Sequence, residues 1–300
     1  MLRRSFIKKS VLGLSLVTLL SKKSIASFII NPAYSIIMLT NTVGIFTQSG
    51  GTILFAITKK GVIIIDAQFP ENAEHLIAEI KLKTTQNFAL LINTHHHADH
   101  TAGNIAFKKY ITKIVAHKNS LKNQQTAAIK SKKELGQLYP NVIYTNRWQK
   151  NYGNEKIGLH YFGIGHTNGD SFVHLKKANI VHVGDLVFNK MHPYIDKSNG
   201  ANITDWIFTL NKAINFFTDN TTFICGHAAK GFSTIIYKVD ILLFIEYLTN
   251  LKIYTLAKIN EGITKEEFLK TTAIPNSPEW GGDGIQRPLE AAWLEYKEGK

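Results

Sequence analysis

The run Thr94-His95-His96-His97-Ala98-Asp99-His100 packs four imidazoles and a carboxylate into positions 95 to 100. These are the side chains that bind divalent cations, and clusters of them serve metal-assisted hydrolysis. On an extended backbone alternate side chains share a face, so His95 and His97 can meet one ion while His96 points the other way. A turn into a helix would present Asp99 and His100 to a second ion. A histidine triplet by itself reads equally as a polar loop. Three further places shift that balance: Gly165-His166-Thr167-Asn168-Gly169-Asp170, Val183-Gly184-Asp185 and Cys225-Gly226-His227. Each sets a ligand-type side chain beside a glycine, at a strand end or just after one, and strand ends meet at one rim of a sheet. The glycines at 165, 184 and 226 would let the backbone approach the ions closely. Thr94 and Asp170 are expected to orient imidazoles, with Asp170 equally suited to capping the turn after it.

The elements that must position these residues follow from hydrophobic periodicity. Residues 34–66 alternate short β-branched or aromatic runs with Gly and Lys turn signals, which predicts a strand meander. Ala73, Leu76, Ile77 and Ile80 share one helical face, and Phe88 to Ile92 is a continuous apolar run expected of a buried strand. Helices are expected near residues 103–110, 120–138, 205–217 and 239–261. Strands are expected at 156–163, 171–175, 180–183 and 222–225. Thr264-Lys265-Glu266-Glu267 matches a capping box, and a last helix is expected after Pro288. Residues 189–202 and 280–284 read as irregular loops. Two strand-rich halves with helices through both suggest two sheets packed face to face under outer helices.

Of the 300 residues, 44% are hydrophobic and 19% charged, enough for a sizeable core and too apolar for a disordered chain. Cys225 is the only cysteine, which excludes a disulfide framework and any all-cysteine metal site. The net charge is +13, but Arg3, Arg4, Lys8, Lys9, Lys22 and Lys23 lie in the first 26 residues, leaving a diffuse surplus of +7. Such a surplus names neither nucleic acid nor a membrane as partner. Residues 11–20 form an apolar run too short to span a bilayer, and Ser24-Ile25-Ala26 is a small-x-small cleavage pattern. With Arg3, Arg4, Phe6 and Lys8, residues 1–26 resemble a cleavable twin-arginine export signal. That implies the twin-arginine machinery as partner, a periplasmic location and a mature chain of residues 27–300. No cysteine follows the apolar run, so no lipid anchor is expected.

With His95, His97, Asp99 and His100 followed in order by His166, Asp185 and His227, the chain resembles the metallo-β-lactamase superfamily, from about Tyr34 into its last third. The resemblance implies an α+β fold, an αββα sandwich of two mixed sheets flanked by helices, with residues 27–300 as the catalytic domain. Carried over residue by residue, it implies that His95, His97 and His166 hold one metal. Asp99, His100 and His227 would hold a second, and Asp185 would bridge the two. Two zinc ions are the expected cofactors, with iron or manganese also suited to this ligand set. Two such ions make hydroxide from a shared water at neutral pH and polarise a carbonyl, and Asp99 is the expected proton acceptor and donor.

Within the superfamily, a bridging Asp185 is closer to glyoxalase II-like thioesterases and lactonases than to periplasmic β-lactamases, which generally carry cysteine or serine there. Leu186-Val187-Phe188 lacks the tyrosine of the lactonase pattern, and His97 stands where the flavodiiron branch has glutamate. The nuclease branch ranks low, because no basic-aromatic stacking segment is present. The expectation is an exported dinuclear zinc hydrolase that applies a metal-bridging hydroxide to a small carbonyl ester, thioester, lactam or lactone. A mono-iron persulfide dioxygenase-like oxidoreductase and a non-catalytic metal-binding accessory protein are the alternatives. His192 and Tyr194, shortly after Asp185, and Lys230, shortly after His227, are expected substrate contacts. His75, His117, His160, His174 and His182 are expected to pack without a site role, and Cys225 to be a buried apolar group.

Overall fold

Two mixed sheets frame the computed structural model, which describes residues 34–281 and 284–299. The expected export segment, residues 1–26, lies outside these, as do Gly282 and Asp283 of the expected loop at 280–284. The first sheet contains β1 (Ser35–Met38), β2 (Val43–Thr47), β3 (Ile53–Thr58), β4 (Gly61–Ile65), β5 (Phe88–Ile92), β6 (Ile114–His117) and β7 (Val142–Tyr144), side by side in chain order. Its first half is the expected antiparallel meander, and β4 to β7 run parallel. The second sheet holds β8 (Arg147–Tyr152), β9 (Glu155–His160), β10 (Phe172–Leu175), β11 (Ile180–Asn189), β12 (Thr222–Ala228) and β13 (Ile235–Ile236). Its order is β13-β12-β11-β10-β9-β8, with β11 and β12 parallel.

Burial on both faces explains why β3 and β4 are apolar at almost every position. Leu54, Ala56, Ile63 and Ile65 meet Leu159, Val173 and Ile224 of the second sheet. The alternate residues Ile53, Phe55, Val62 and Ile64 pack under α1 (Pro70–Lys83), against Leu76, Ile77 and Ile80. Each such side chain contributes about 1.5–3 kcal/mol on burial. After the single turn α2 (Ala98–Thr101) comes α3 (Lys118–Ser131), which lies along β6 and β7. The second sheet is covered by α4 (Ile203–Phe216) and α5 (Lys238–Asn260), then, after the short α6 (Lys265–Phe268), by α7 (Gln286–Tyr296). Trp206, Leu210, Phe244, Leu248 and Leu289 from these helices bury Val181, Val183 and Phe223. This is the αββα sandwich the sequence implied.

Two local readings are corrected, and one strand was missed. Instead of ending near Gly184, β11 runs on to Asn189, ten residues in all, because Leu186, Val187 and Phe188 are themselves buried. The last helix opens at Gln286, so Pro288 lies in its first turn, where a missing N–H removes no helical bond. The polar strand β8 escaped the pattern because it is the sheet's edge and most of its side chains meet solvent. Among the described residues no helix is long and apolar enough to cross a membrane.

Candidate metal centre

After β5 the chain stays extended to His97 (φ −63°, ψ 148°), which caps α2, and the turn brings Asp99 and His100 round to the same rim. His166 arrives on the loop between β9 and β10, and His227 near the end of β12. Asp185 comes from mid-strand: β11 changes register against β12 on both sides of Gly184, whose φ is +52°. The bulge turns Asp185 toward the histidines. His182 braces it, accepting from the Gly184 N–H at 2.9 Å and donating to the Thr52 carbonyl at 2.8 Å. The sequence had assigned His182 to plain packing.

The expected ligand atoms converge. Nδ1 of His97 lies 3.1 Å from Nε2 of His95 and 2.9 Å from Nε2 of His166. Oδ2 of Asp185 is 3.8 Å from His95 Nε2 and 3.6 Å from His166 Nε2. On the other side, His227 Nε2 is 3.0 Å from Asp99 Oδ2 and 3.4 Å from Asp185 Oδ2. His100 Nε2 sits 3.1 Å from Asp185 Oδ1.

The outer partners decide what these atoms are. His166 Nδ1 donates to the Tyr194 carbonyl at 2.7 Å, and His97 Nε2 to Asp196 Oδ2 at 2.9 Å. His100 Nδ1 donates to Asp66 Oδ2 at 2.8 Å. Thr94 gives its own hydroxyl proton to Asp66 at 2.7 Å and so accepts from His95 Nδ1 at 3.1 Å. With every outer nitrogen a donor, the inner nitrogens of His95, His97, His100 and His166 are the ones turned toward the centre. Three of them face one another, and His100 Nε2 and Asp185 Oδ1, buried 3.1 Å apart, have no other hydrogen-bond partner. Converging lone pairs repel unless a cation lies among them, so the donor set fits divalent metal.

The electrostatics divide the histidines into two groups. Burial lowers the His95 and His166 pKa values, the latter to about 3, with help from the neighbouring His97. Burial also opposes charge on His227 and His100. The carboxylate of Asp185 outweighs it at both, raising His227 to about 9 and His100 well above the usual range. Asp185, pushed up by burial, is held well below the usual carboxylate range by His227 and His100. Protons and divalent cations therefore compete for this site.

The glycines make room for side chains rather than for ions. A Cβ on Gly226 would collide with Oδ1 of Asp185, one on Gly184 would sit 2.5 Å from Thr94 Oγ1, and one on Gly165 would strike Leu186. Asp170 accepts from the Thr167 N–H and hydroxyl, each at 2.7 Å, so it secures the loop after His166 rather than an imidazole. Cys225 is buried, as expected.

A cavity of about 360 Å³ opens over Asp99, Asp185 and His227, walled by Phe188, Met191, His192, Tyr194 and Arg287. His192 is fixed by a 2.9 Å contact with the Tyr247 hydroxyl. Lys230 does not line this cavity, because the chain turns over residues 229–232 into an exposed position. A second cavity of about 410 Å³ lies beyond His97 and Tyr194, lined by His96, Gln124, Asp196 and Asn199 among others. Sequence reading missed Asp66, Asp196 and Arg287. Asp66 had a signal, an acid closing the apolar run Val62 to Ile65, and it adopts a left-handed φ of +63°. Asp196 lay in the irregular loop expected at residues 189–202, and Arg287 had no signal.

The family model of the metallo-beta-lactamase superfamily matches residues 47–227. Metallo-beta-lactamase IND-1 of Chryseobacterium indologenes is 24% identical over 245 residues, covering 78% of this chain and 98% of that one. Metallo-beta-lactamase type 2 of Bacillus sp. (strain 170) is 25% identical over 58% of this chain, and the match spans 65% of that enzyme. Among solved structures, the stereoselective inverting sec-alkylsulfatase Pisa1 from Pseudomonas sp. superposes with a TM-score of 0.72 over 88% of this chain and 50% of its own. At 12% identity that is a likeness of fold.

Proposed function

The chain belongs to the metallo-beta-lactamase superfamily, and on that premise we propose that it is a metal-dependent hydrolase that holds two zinc ions and opens a carbonyl ester, thioester or lactam bond in a small molecule. The observation that carries the reading is the convergence of ligand-type side chains: His95, His97, His166 and Asp185 in one cluster, Asp99, His100 and His227 in the next. Bound divalent cations would supply hydroxide at neutral pH and polarise the scissile carbonyl.

The chain's own residues do the rest. Burial pushes the Asp99 carboxyl up, but the His100 charge and the hydrogen bond from His227 bring it below the usual carboxylate range, so it is ionised. Its Oδ2 faces His227 and His100, which leaves Oδ1 to take a proton from the attacking water and return it to the leaving group. Phe188 and Met191 shield the reacting centre from water, and His192 and Tyr194 position the substrate. Esters and thioesters rank ahead of lactams because Asp185, a carboxylate and not a cysteine or serine, would be the residue shared by the two ions. The reading extends to location: residues 1–26 direct twin-arginine export to the periplasm. Unchanged periplasmic delivery after Arg3→Lys and Arg4→Lys together would move that assignment to the general secretory route.

Elemental mass spectrometry on the purified mature chain, with an ester, thioester and β-lactam panel on the same sample, tests the function. Close to two zincs per chain with hydrolysis supports it. One iron with oxygen uptake and no hydrolysis would replace it with the persulfide dioxygenase-like reading.

A further inference from the structure

The cavity over Asp99, Asp185 and His227 carries one lysine or arginine among its described lining residues, Arg287. That residue lies in the first turn of α7, beyond the stretch matched by the family model. Its backbone is firmly held, since Ile285, Pro288 and Leu289 around it are buried and α7 packs along α5. Arg287 itself is exposed.

Charges nearby are already matched. Lys190 pairs with Glu279 at 3.1 Å, Lys265 with Glu290 at 2.9 Å, and Lys197 with Glu295 at 3.0 Å. The acids of the cavity, Asp99 and Asp185, face His227 and His100. Arg287 makes no ion pair among the described residues. It therefore offers a planar, permanently charged fork to whatever enters, and such a fork matches a carboxylate with two parallel hydrogen bonds. Phe188 and Met191 supply an apolar stretch in the same cavity. Its volume of about 360 Å³ sits at the small end for ligand pockets.

We propose that Arg287 is the anion anchor of this site, and that the substrate is a small ester or thioester bearing a carboxylate separated from its scissile carbonyl by a short apolar spacer. The inference rests on the hydrolase reading and adds a substrate class to it. Arg287 acts on the non-reacting end of the molecule, so it governs substrate binding and leaves proton transfer to Asp99.

The test uses the zinc-loaded mature chain with 4-nitrophenyl hydrogen glutarate and its methyl ester, in which the free carboxylate is masked. The anionic compound should have the higher kcat/KM. Arg287→Gln should lower kcat/KM for it about 10–100-fold, mainly through KM, the size expected of a hydrogen-bonded charge pair. The masked compound should be unaffected, and Arg287→Lys should fall between. An equal loss on both compounds, or on neither, overturns the anchor.

Glutarate binding by calorimetry, compared between the parent chain and Arg287→Gln, gives a readout without turnover. Weaker binding in the variant supports the anchor, and equal affinity overturns it. Arginine-dependent glutarate binding with no hydrolysis of any ester would sink the hydrolase reading and leave the anchor standing. Hydrolysis of both nitrophenyl compounds without arginine dependence would do the reverse.

Discussion

Asp196 Oδ2 accepts a hydrogen bond from Nε2 of His97 at 2.9 Å, joining residues 99 positions apart. Ser198 and Asn199 hold the carboxylate in turn, at 2.6 and 2.7 Å. That contact settles which nitrogen of His97 keeps its lone pair, and so which face it offers to a cation.

Removing the contact should loosen metal binding. Asp196→Ala is expected to lower zinc affinity about 10–100-fold, the usual consequence of losing a carboxylate behind a ligating histidine. Competition against a chromophoric chelator measures it. Unchanged affinity would show that His97 is oriented by packing alone.

Asp99→Asn tests proton transfer. Turnover should drop about 100- to 10,000-fold as the proton acceptor is lost. Elemental analysis of the same sample separates that loss from loss of metal. Full turnover in the variant refutes the proposed role.

Gly226→Ala should displace Asp185, because the new Cβ would occupy the space of its Oδ1. The expected result is reduced metal content and a stability loss of about 1–3 kcal/mol, typical of overpacking. Gly136→Ala is the control, since open space surrounds that position and its effect should be small. Equal metal content in the two variants counts against a placement role for Gly226.

His160 offers a pH test away from the metal centre. Burial, aided by Lys176, lowers its pKa to about 4, and its Nε2 is buried without a partner beside Phe216. Below the ordinary imidazole value of about 6.5 the unfolded chain takes up a proton that the native chain refuses until about 4. Stability from this residue is thus complete above that ordinary value and falls as pH drops through the window. Chemical denaturation of His160→Leu should show a shallower loss than the parent between about pH 7 and pH 5. Parallel profiles would mean that His160 takes up its proton over the same pH range in the native and the unfolded chain.

Much of the site was legible in the sequence because its donors are local. His95, His97, Asp99 and His100 need only a strand end and one helical turn, and backbone geometry alone brings them to one rim. The double-faced burial of β3 and β4 was legible for the same reason, since continuous apolar runs of strand length imply two covered faces. At Asp185 the reading went astray in form: the residue lies within β11, turned inward by a bulge that depends on register against β12 and on His182 reaching Thr52.

Cations near the site show the limit most plainly. Lys230 stands three residues from His227 and is not part of the cavity's lining, while Arg287 stands sixty residues beyond it and lines the wall. The sequence alone determined which donor atoms exist and the face each strand turns inward, because dihedral preference and hydrophobic period are local properties. Tertiary structure decided the partners: Asp66 for His100, Asp196 for His97, Arg287 for the cavity. Those pairings depend on which distant segments the packed sheets and helices bring together, and that is a property of the whole core.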